Sequence, residues 1–247
     1  WDSLDIPILQ LLTSTSSKKR WMKSKNGLLP TDLSLQVVLP EIDGRIITIP
    51  GAFKEAVSSN ISLATTVYKI KPFTQNISWV TELMYNYIKL NILSTPKRKI
   101  CIVVSNYPIR DGRVANGVGL DTPESIINIF KWLKEAGYDF GEKKLPSSGK
   151  EFIKSLLSTR TNSLDTHTRA PLEYITLKDY LTCWDEIDIK AKNSIIKRWN
   201  LPDKSKDLEE YGFAICGIRF KNVCVIIQSS RGYDPESIED LHSPDLP

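Results

Sequence analysis

One stretch, residues 99–123, constrains the fold of this chain more than any other. It opens with Ile100–Val104, a continuous apolar run of the kind that forms a buried strand. It closes on Thr122 and Pro123, which predict a helix start with Thr122 as cap and proline in the first turn. Between them lies a loop carrying Asp111, Arg113, Asn116 and Asp121 among Gly112, Gly117 and Gly119. A simple connection needs neither so many polar groups nor so many glycines. Strand, loop and helix in that order predict a βαβ-type unit. In open α/β sheets the loop at the carboxyl end of a strand is where ligands sit.

The rest of the chain supports an α/β reading. Residues 5–12 read as a first buried strand, and residues 17–25 as a short helix behind a Ser/Thr-rich loop. The hydroxyls at that helix start can hold an anion or, more commonly, simply cap it. Residues 30–39 predict a second helix with Leu33 and Val37 facing inward, and 45–49 a strand after the Asp43-Gly44 turn. Residues 50–73 show no clear period. Residues 74–93 predict a longer helix with Ile77, Val80, Leu83 or Met84, Tyr87 and Ile88 on one face. Residues 123–136 are the clearest helix, with Ile126, Ile129, Phe130 and Leu133 as its stripe and Gly137 as its stop. Helices are predicted over 150–158, 177–183 and 187–199. A hairpin is predicted over 212–227, turning near 220–222. The fold class is therefore α/β, with Rossmann-like or flavodoxin-like elements, a mainly helical insertion at about 150–210 and a C-terminal β-hairpin. Two segments are expected, 1–96 and 97–247.

Composition narrows the function. A 41% hydrophobic chain of 247 residues can bury a real core. Net charge is only +4 and the basic run at 18–25 has no arginine-rich arm beside it, which argues against nucleic-acid binding. No apolar run reaches the ~18 residues of a membrane span, and no signal peptide is visible, so a cytoplasmic location is expected. The chain starts at Trp1, which reads as a fragment or a processed product. The four cysteines form no C-x-x-C pair, so zinc is not indicated. Cys101, Cys216 and Cys224 read as small buried hydrophobes, with Cys216 and Cys224 approaching across the hairpin. There is no P-loop, so ATP hydrolysis by this chain is not expected, and no nucleophile elbow or zinc-protease motif occurs. Gly117-Val-Gly119 lacks the third glycine of a dinucleotide fingerprint.

The candidates that remain are polar groups in loops. Arg45, Arg113 and Arg231 each neighbour a glycine, and arginine grips carboxylates in a bidentate fork. Asp43-Gly-Arg45 and Asp111-Gly-Arg113 serve equally well as self-paired turns. Glu41 and Asp43 can accept a proton or hold a cation. His242, near Asp240 and Asp245, offers mixed N/O ligands to a metal.

Four stretches in this order resemble one family: Leu4-Asp-Ile-Pro-Ile-Leu-Gln, Leu39-Pro-Glu-Ile-Asp-Gly-Arg-Ile, the long run from Ser105 through Pro123, and Gln228-Ser-Ser-Arg-Gly-Tyr. The closing His242-Ser-Pro-Asp-Leu-Pro also fits. The chain is similar to the family of cobaltochelatase large subunits (CobN) and magnesium chelatase H subunits, nearer to the cobalt branch, and corresponds to a central piece of a much longer subunit. The departure is Ser229-Ser230, where relatives often carry a proline-containing segment. The resemblance implies tetrapyrrole binding by this subunit and ATP hydrolysis, with Mg²⁺, by AAA+ partner subunits. It implies Co²⁺ as the substrate metal and a corrin precursor, hydrogenobyrinic acid a,c-diamide, as the ring. Metal insertion must remove pyrrolic protons, which implies a role for Glu41 with Asp43 beside it. Arg45, Asp111, Arg113, Asn116, Asp121 and Arg231 are implied as ring contacts, and His242 in metal delivery. The magnesium branch, acting on protoporphyrin, and a non-catalytic ligand-binding α/β module are the alternatives. The isolated piece is expected to be inactive. Loops 39–45 and 110–121 are expected to face one shared concave surface.

Overall fold

The computed structural model describes residues 6–60, 62, 64–106, 114–117 and 119–229. The chain divides into two compact units, Trp1–Leu93 and Ser94–Pro247.

The first unit is built on a three-stranded sheet in the order β1-β2-β3, with β1 Leu9–Ser14, β2 Ile46–Asn60 and β3 Thr65–Pro72. β1 and β2 are parallel, and β2 and β3 form a long antiparallel ribbon. Between β1 and β2 the chain makes α1, Lys18–Lys23, capped by the Ser17 hydroxyl accepting from the Arg20 N–H. It then makes one helical run, Pro30 to Ile42. The middle of that run, Ser34–Val38, is π-helical, between α2 at Pro30–Leu33 and α3 at Leu39–Ile42. The extra residue per turn rotates the run, so Leu33 faces out at 47% exposure, contrary to the sequence expectation. Val37 is half-buried, as expected, and polar side chains share the inward face. Asp32, 2% exposed, accepts from the Thr15 N–H and hydroxyl, and the Gln36 side chain accepts from the Thr13 N–H. Two side chains four residues apart on one face thus tie the run to the end of β1.

The core of this unit is small. Phe53 is its centre, with Trp21 at 5.4 Å and Phe73 at 6.1 Å between ring centroids. α4, Thr74–Ile92, buries Val80 and half-buries Ile77, Leu83 and Tyr87. Met84 and Ile88, expected on the same face, are about half exposed.

The second unit has a sheet in the order β4-β9-β8, where β4 is Ile100–Val104, β8 Gly217–Phe220 and β9 Val223–Ile227. β4 and β9 are parallel, and β8 and β9 form the hairpin. α5, Thr122–Glu135, and α6, Gly149–Leu157, pack on one face of it. β4 is buried on that face only: Val104 is covered, while Cys101 and Val103 are exposed. The expectation of a buried strand thus holds for one face only. Phe130 is the hub of the core, with Phe140, Phe152 and Phe220 edge-on to it at 5.4, 6.3 and 5.3 Å. Gly149 lets α6 approach: a Cβ there would lie 2.8 Å from the Pro123 Cβ and 2.9 Å from the Glu124 nitrogen. Glu124 in turn accepts a 2.6 Å hydrogen bond from the Gly149 N–H.

Residues 173–215 add a second small sheet, β5-β7-β6, with β5 Glu173–Ile175, β6 Leu208–Glu209 and β7 Gly212–Ile215. Between β5 and β6 come α7, Leu177–Asp185, and α8, Ile189–Trp199. The sequence reading of 212–218 as one hairpin arm is thus divided between two sheets at Cys216. Cys216 is buried, as expected, but Cys101 is exposed, and Cys224 is paired with Cys101 rather than Cys216.

Candidate functional site

Glu41, Asp43 and Arg45 stand at the end of the Pro30–Ile42 run and the start of β2. The run stops in a Schellman arrangement. The Gly44 N–H donates to the Glu41 carbonyl at 3.0 Å and the Arg45 N–H to the Pro40 carbonyl at 3.0 Å. Gly44 has φ of +76°, which only glycine adopts without strain. This turn fixes where the side chains point. Arg45 donates to the Gln10 carboxamide at 3.1 Å and lies 3.5 Å from the Asp43 carboxylate, so its charge is engaged within the fold. Its Nε is buried and, among the described residues, without a partner. Glu41 differs: it is exposed, and among the described residues its carboxylate has no hydrogen-bond or ion-pair partner. It sits in the last helical turn, where the aligned peptide dipoles make the local potential negative. Two carboxylates at the negative end of a helix form a place that attracts cations and can accept a proton. The whole group lies at the amino end of the parallel β1–β2 pair, with Ile46 donating to the Ile8 carbonyl at 2.8 Å.

Beside this helix, in the same unit, is a cavity of about 330 Å³ lined by Arg20, Trp21, Ser24, Leu29 and Leu33. Its Arg20 is exposed, and the Ser17 hydroxyl is used to cap α1.

In the second unit the loop after β4 begins and ends at one point. The Ala115 N–H donates to the Ser105 carbonyl and the Ser105 hydroxyl to the Asn116 carbonyl, both at 2.8 Å. Asn116 is exposed. Asp121 is the cap of α5, its carboxylate accepting from the Glu124 N–H at 3.1 Å; Thr122, the expected cap, is the first helical residue instead. Beside β4, Gln228 at the end of β9 donates to the Val104 carbonyl, and its own carbonyl accepts from Asn162 at 2.8 Å. Asn106 is 7% exposed, and among the described residues its side-chain oxygen has no partner. This buried open acceptor at the carboxyl end of two parallel strands was not among the sequence candidates. Its signal was its place, second after the strand, in the position that open α/β sheets give to ligand contacts.

Asp111, Arg113, Arg231 and His242 lie outside the described residues. Of the sequence candidates, Glu41, Asp43 and Arg45 stand together in the first unit, and Asn116 and Asp121 lie along one loop of the second. The expected shared surface for loops 39–45 and 110–121 spans the two units and includes residues outside those described.

A buried ion pair lies elsewhere in the second unit. Arg160, 5% exposed, makes a two-pronged ion pair with Glu209, whose carboxylate also accepts from the Tyr174 hydroxyl at 3.1 Å. Arg160 holds the Glu209 carboxyl below its ordinary range, and burial together with Glu209 raises the Tyr174 hydroxyl. These three residues fasten the loop after α6 to the small sheet.

A family profile described as CobN/Magnesium Chelatase matches residues 1–247. The chain belongs to the CobN/magnesium chelatase family. It is 35% identical over 245 residues to the aerobic cobaltochelatase subunit CobN of a Sinorhizobium species, covering 99% of this chain and 19% of that protein. Its fold is similar to a solved structure, the catalytic subunit of cobaltochelatase from Mycobacterium tuberculosis. The TM-score is 0.78 at 27% identity, covering 99% of this chain and 20% of that one. The match to the rice chloroplast magnesium-chelatase subunit ChlH is 22% over 242 residues, covering 97% of this chain and 16% of that protein. The chain thus spans about one fifth of the length of the CobN relatives it matches. Among the described residues no helix is long and apolar enough to cross a membrane.

Proposed function

We propose that this chain is the part of a cobaltochelatase large subunit that meets the tetrapyrrole and handles Co²⁺ and protons during insertion. The observation that carries the reading is Glu41, an exposed carboxylate free of partners among the described residues, at the cation-attracting end of a helix. Insertion places one divalent metal in the ring and displaces the proton held by its inner nitrogens. A carboxylate that accepts a proton, or holds the ion while it sheds water, serves either half of that exchange. Asp43 adds to the negative potential and keeps Arg45 fixed through their ion pair.

The ring we assign is a corrin precursor of the hydrogenobyrinic acid a,c-diamide type. Its edge carries carboxylates and amides. Arg113, Arg231, Asn116 and Asp121 are assigned to that edge together with Arg45 and Asp111, and His242 to metal delivery. ATP is hydrolysed with Mg²⁺ by AAA+ partner subunits, in the cytoplasm. The higher identity to CobN than to ChlH supports cobalt over magnesium.

Absorption titration of the intact subunit with the corrin precursor and with protoporphyrin tests the ring assignment. The corrin precursor is expected to bind more tightly, and Arg113→Ala to weaken it by ~1.5–3 kcal/mol, or roughly ten- to a hundred-fold. Preference for protoporphyrin would move the chain to the magnesium branch. Loss of folding in Arg113→Ala would assign that arginine a structural role.

A further inference from the structure

A row of three side chains crosses the β8-β9-β4 sheet in register. Arg219 opposes Cys224, and Cys224 opposes Cys101. All three lie on the face turned away from the aromatic core, because their strand neighbours Phe220, Val223, Val225 and Val104 fill that core. Cys101 is exposed, Cys224 is half-buried, and neither is in a disulfide.

Spacing decides what this thiol pair can do. Adjacent strands are ~4.7–4.9 Å apart, and directly opposed residues on parallel strands project side by side. A disulfide lies within reach of that spacing, since its Cα atoms stand about 4.4–6.8 Å apart, but both thiols are free here. Two metal–sulfur bonds of about 2.3 Å each, placed in line, span ~4.6 Å and match the strand spacing. Thiolates select soft ions such as copper(I) or zinc. Structural zinc takes four ligands. Among the described residues no group of three or more His, Cys, Asp or Glu side chains stands together to supply them.

We propose that Cys101 and Cys224 form a two-coordinate site for a soft monovalent cation of the copper(I) class. Each thiol releases its proton to water, and each sulfur donates an electron pair to the ion. One Cu⁺ enters, two protons leave, and the bis-thiolate product carries one negative charge. Arg219, next in the row, is already paired with Glu173, so water at this exposed face balances most of that charge. Burial first, and then the hydrogen bond to the Cys101 thiol, push the Cys224 thiol up to about 11, with Arg219 opposing and Glu173 reinforcing. Because each bound ion releases protons, binding strengthens as pH rises.

The test is an oxygen-free titration of the fully reduced chain with copper(I) held by a bicinchoninate competitor. One tight equivalent is expected. Cys101→Ser and Cys224→Ser should each weaken it by at least about 100-fold, beyond the ~10–100-fold cost of losing an outer-shell partner. Cys183→Ser, an exposed cysteine in α7, should leave it unchanged. Cys101→Ser removes an exposed thiol, and an unchanged circular dichroism spectrum certifies its fold. Copper-edge X-ray absorption should show two sulfur neighbours. Wild-type affinity in either serine variant, or three or more ligands at the metal, would overturn the assignment.

Discussion

Asp121→Ala separates what this residue does for the fold from what it does for the ring. In the structure one carboxylate oxygen accepts from the Glu124 N–H at 3.1 Å and caps α5. That helix carries Ile126, Ile127 and Phe130 into the core of the second unit, so a frayed first turn is felt there. Loss of such a cap costs about 1 kcal/mol, within a range of 0.5–2. For a unit of about this size each kcal/mol moves the midpoint by ~2–4 °C. A fall of that order is expected for Asp121→Ala, read by near-ultraviolet circular dichroism. Asp121→Asn keeps an acceptor oxygen at the same place and forgoes only the charge–dipole gain of ~0.3–1 kcal/mol. It should recover most of the loss. Ring affinity, measured on the same two proteins, then reads the other role, since a drop in Asp121→Asn at near-native stability comes from a lost ring contact. An unchanged midpoint in Asp121→Ala would refute the capping argument.

Phe130→Ala should destabilise the second unit by ~3–5 kcal/mol in urea unfolding, because Phe130 is 2% exposed and touches three other phenylalanines. A loss under about 1 kcal/mol would contradict its place at the hub. Glu209 gives a pH signature. Its folded carboxyl lies below the ordinary 4.5, chiefly through Arg160, so its contribution is complete above that value and is lost as pH falls from 4.5 through the depressed folded value. Glu209→Gln should lower stability at pH 7 and flatten the acid limb of the stability curve; an unchanged acid limb would contradict the coupling.

The parts legible in the sequence were those with strong local rules. α5 showed its stripe, its proline in the first turn and its glycine stop, and the hairpin showed its turn near 220–222 between two apolar runs. β3 was invisible because all eight of its residues are exposed, so no alternation marks it. The Pro30–Ile42 run was misread where its π-helical turn broke the 3.6-residue period, hiding that Asp32 and Gln36, not Leu33, face β1. β5, β6 and β7 have three, two and four residues, too short for any periodic signal. Glu41 was found through the motif around it. Its freedom from partners, and the capture of Arg45 by Gln10, needed side-chain geometry. Asn106 carries no pattern of its own, and its open acceptor appears only once burial is known.

The central claim rests on Glu41, and Glu41→Gln in the intact subunit with its partner subunits tests it most directly. The change keeps size and hydrogen bonding while removing the charge and the proton-accepting oxygen. ATP-dependent cobalt insertion should fall by at least ~10²-fold, the usual loss for a general base, with ring affinity little changed. Undiminished turnover in Glu41→Gln would contradict the assignment.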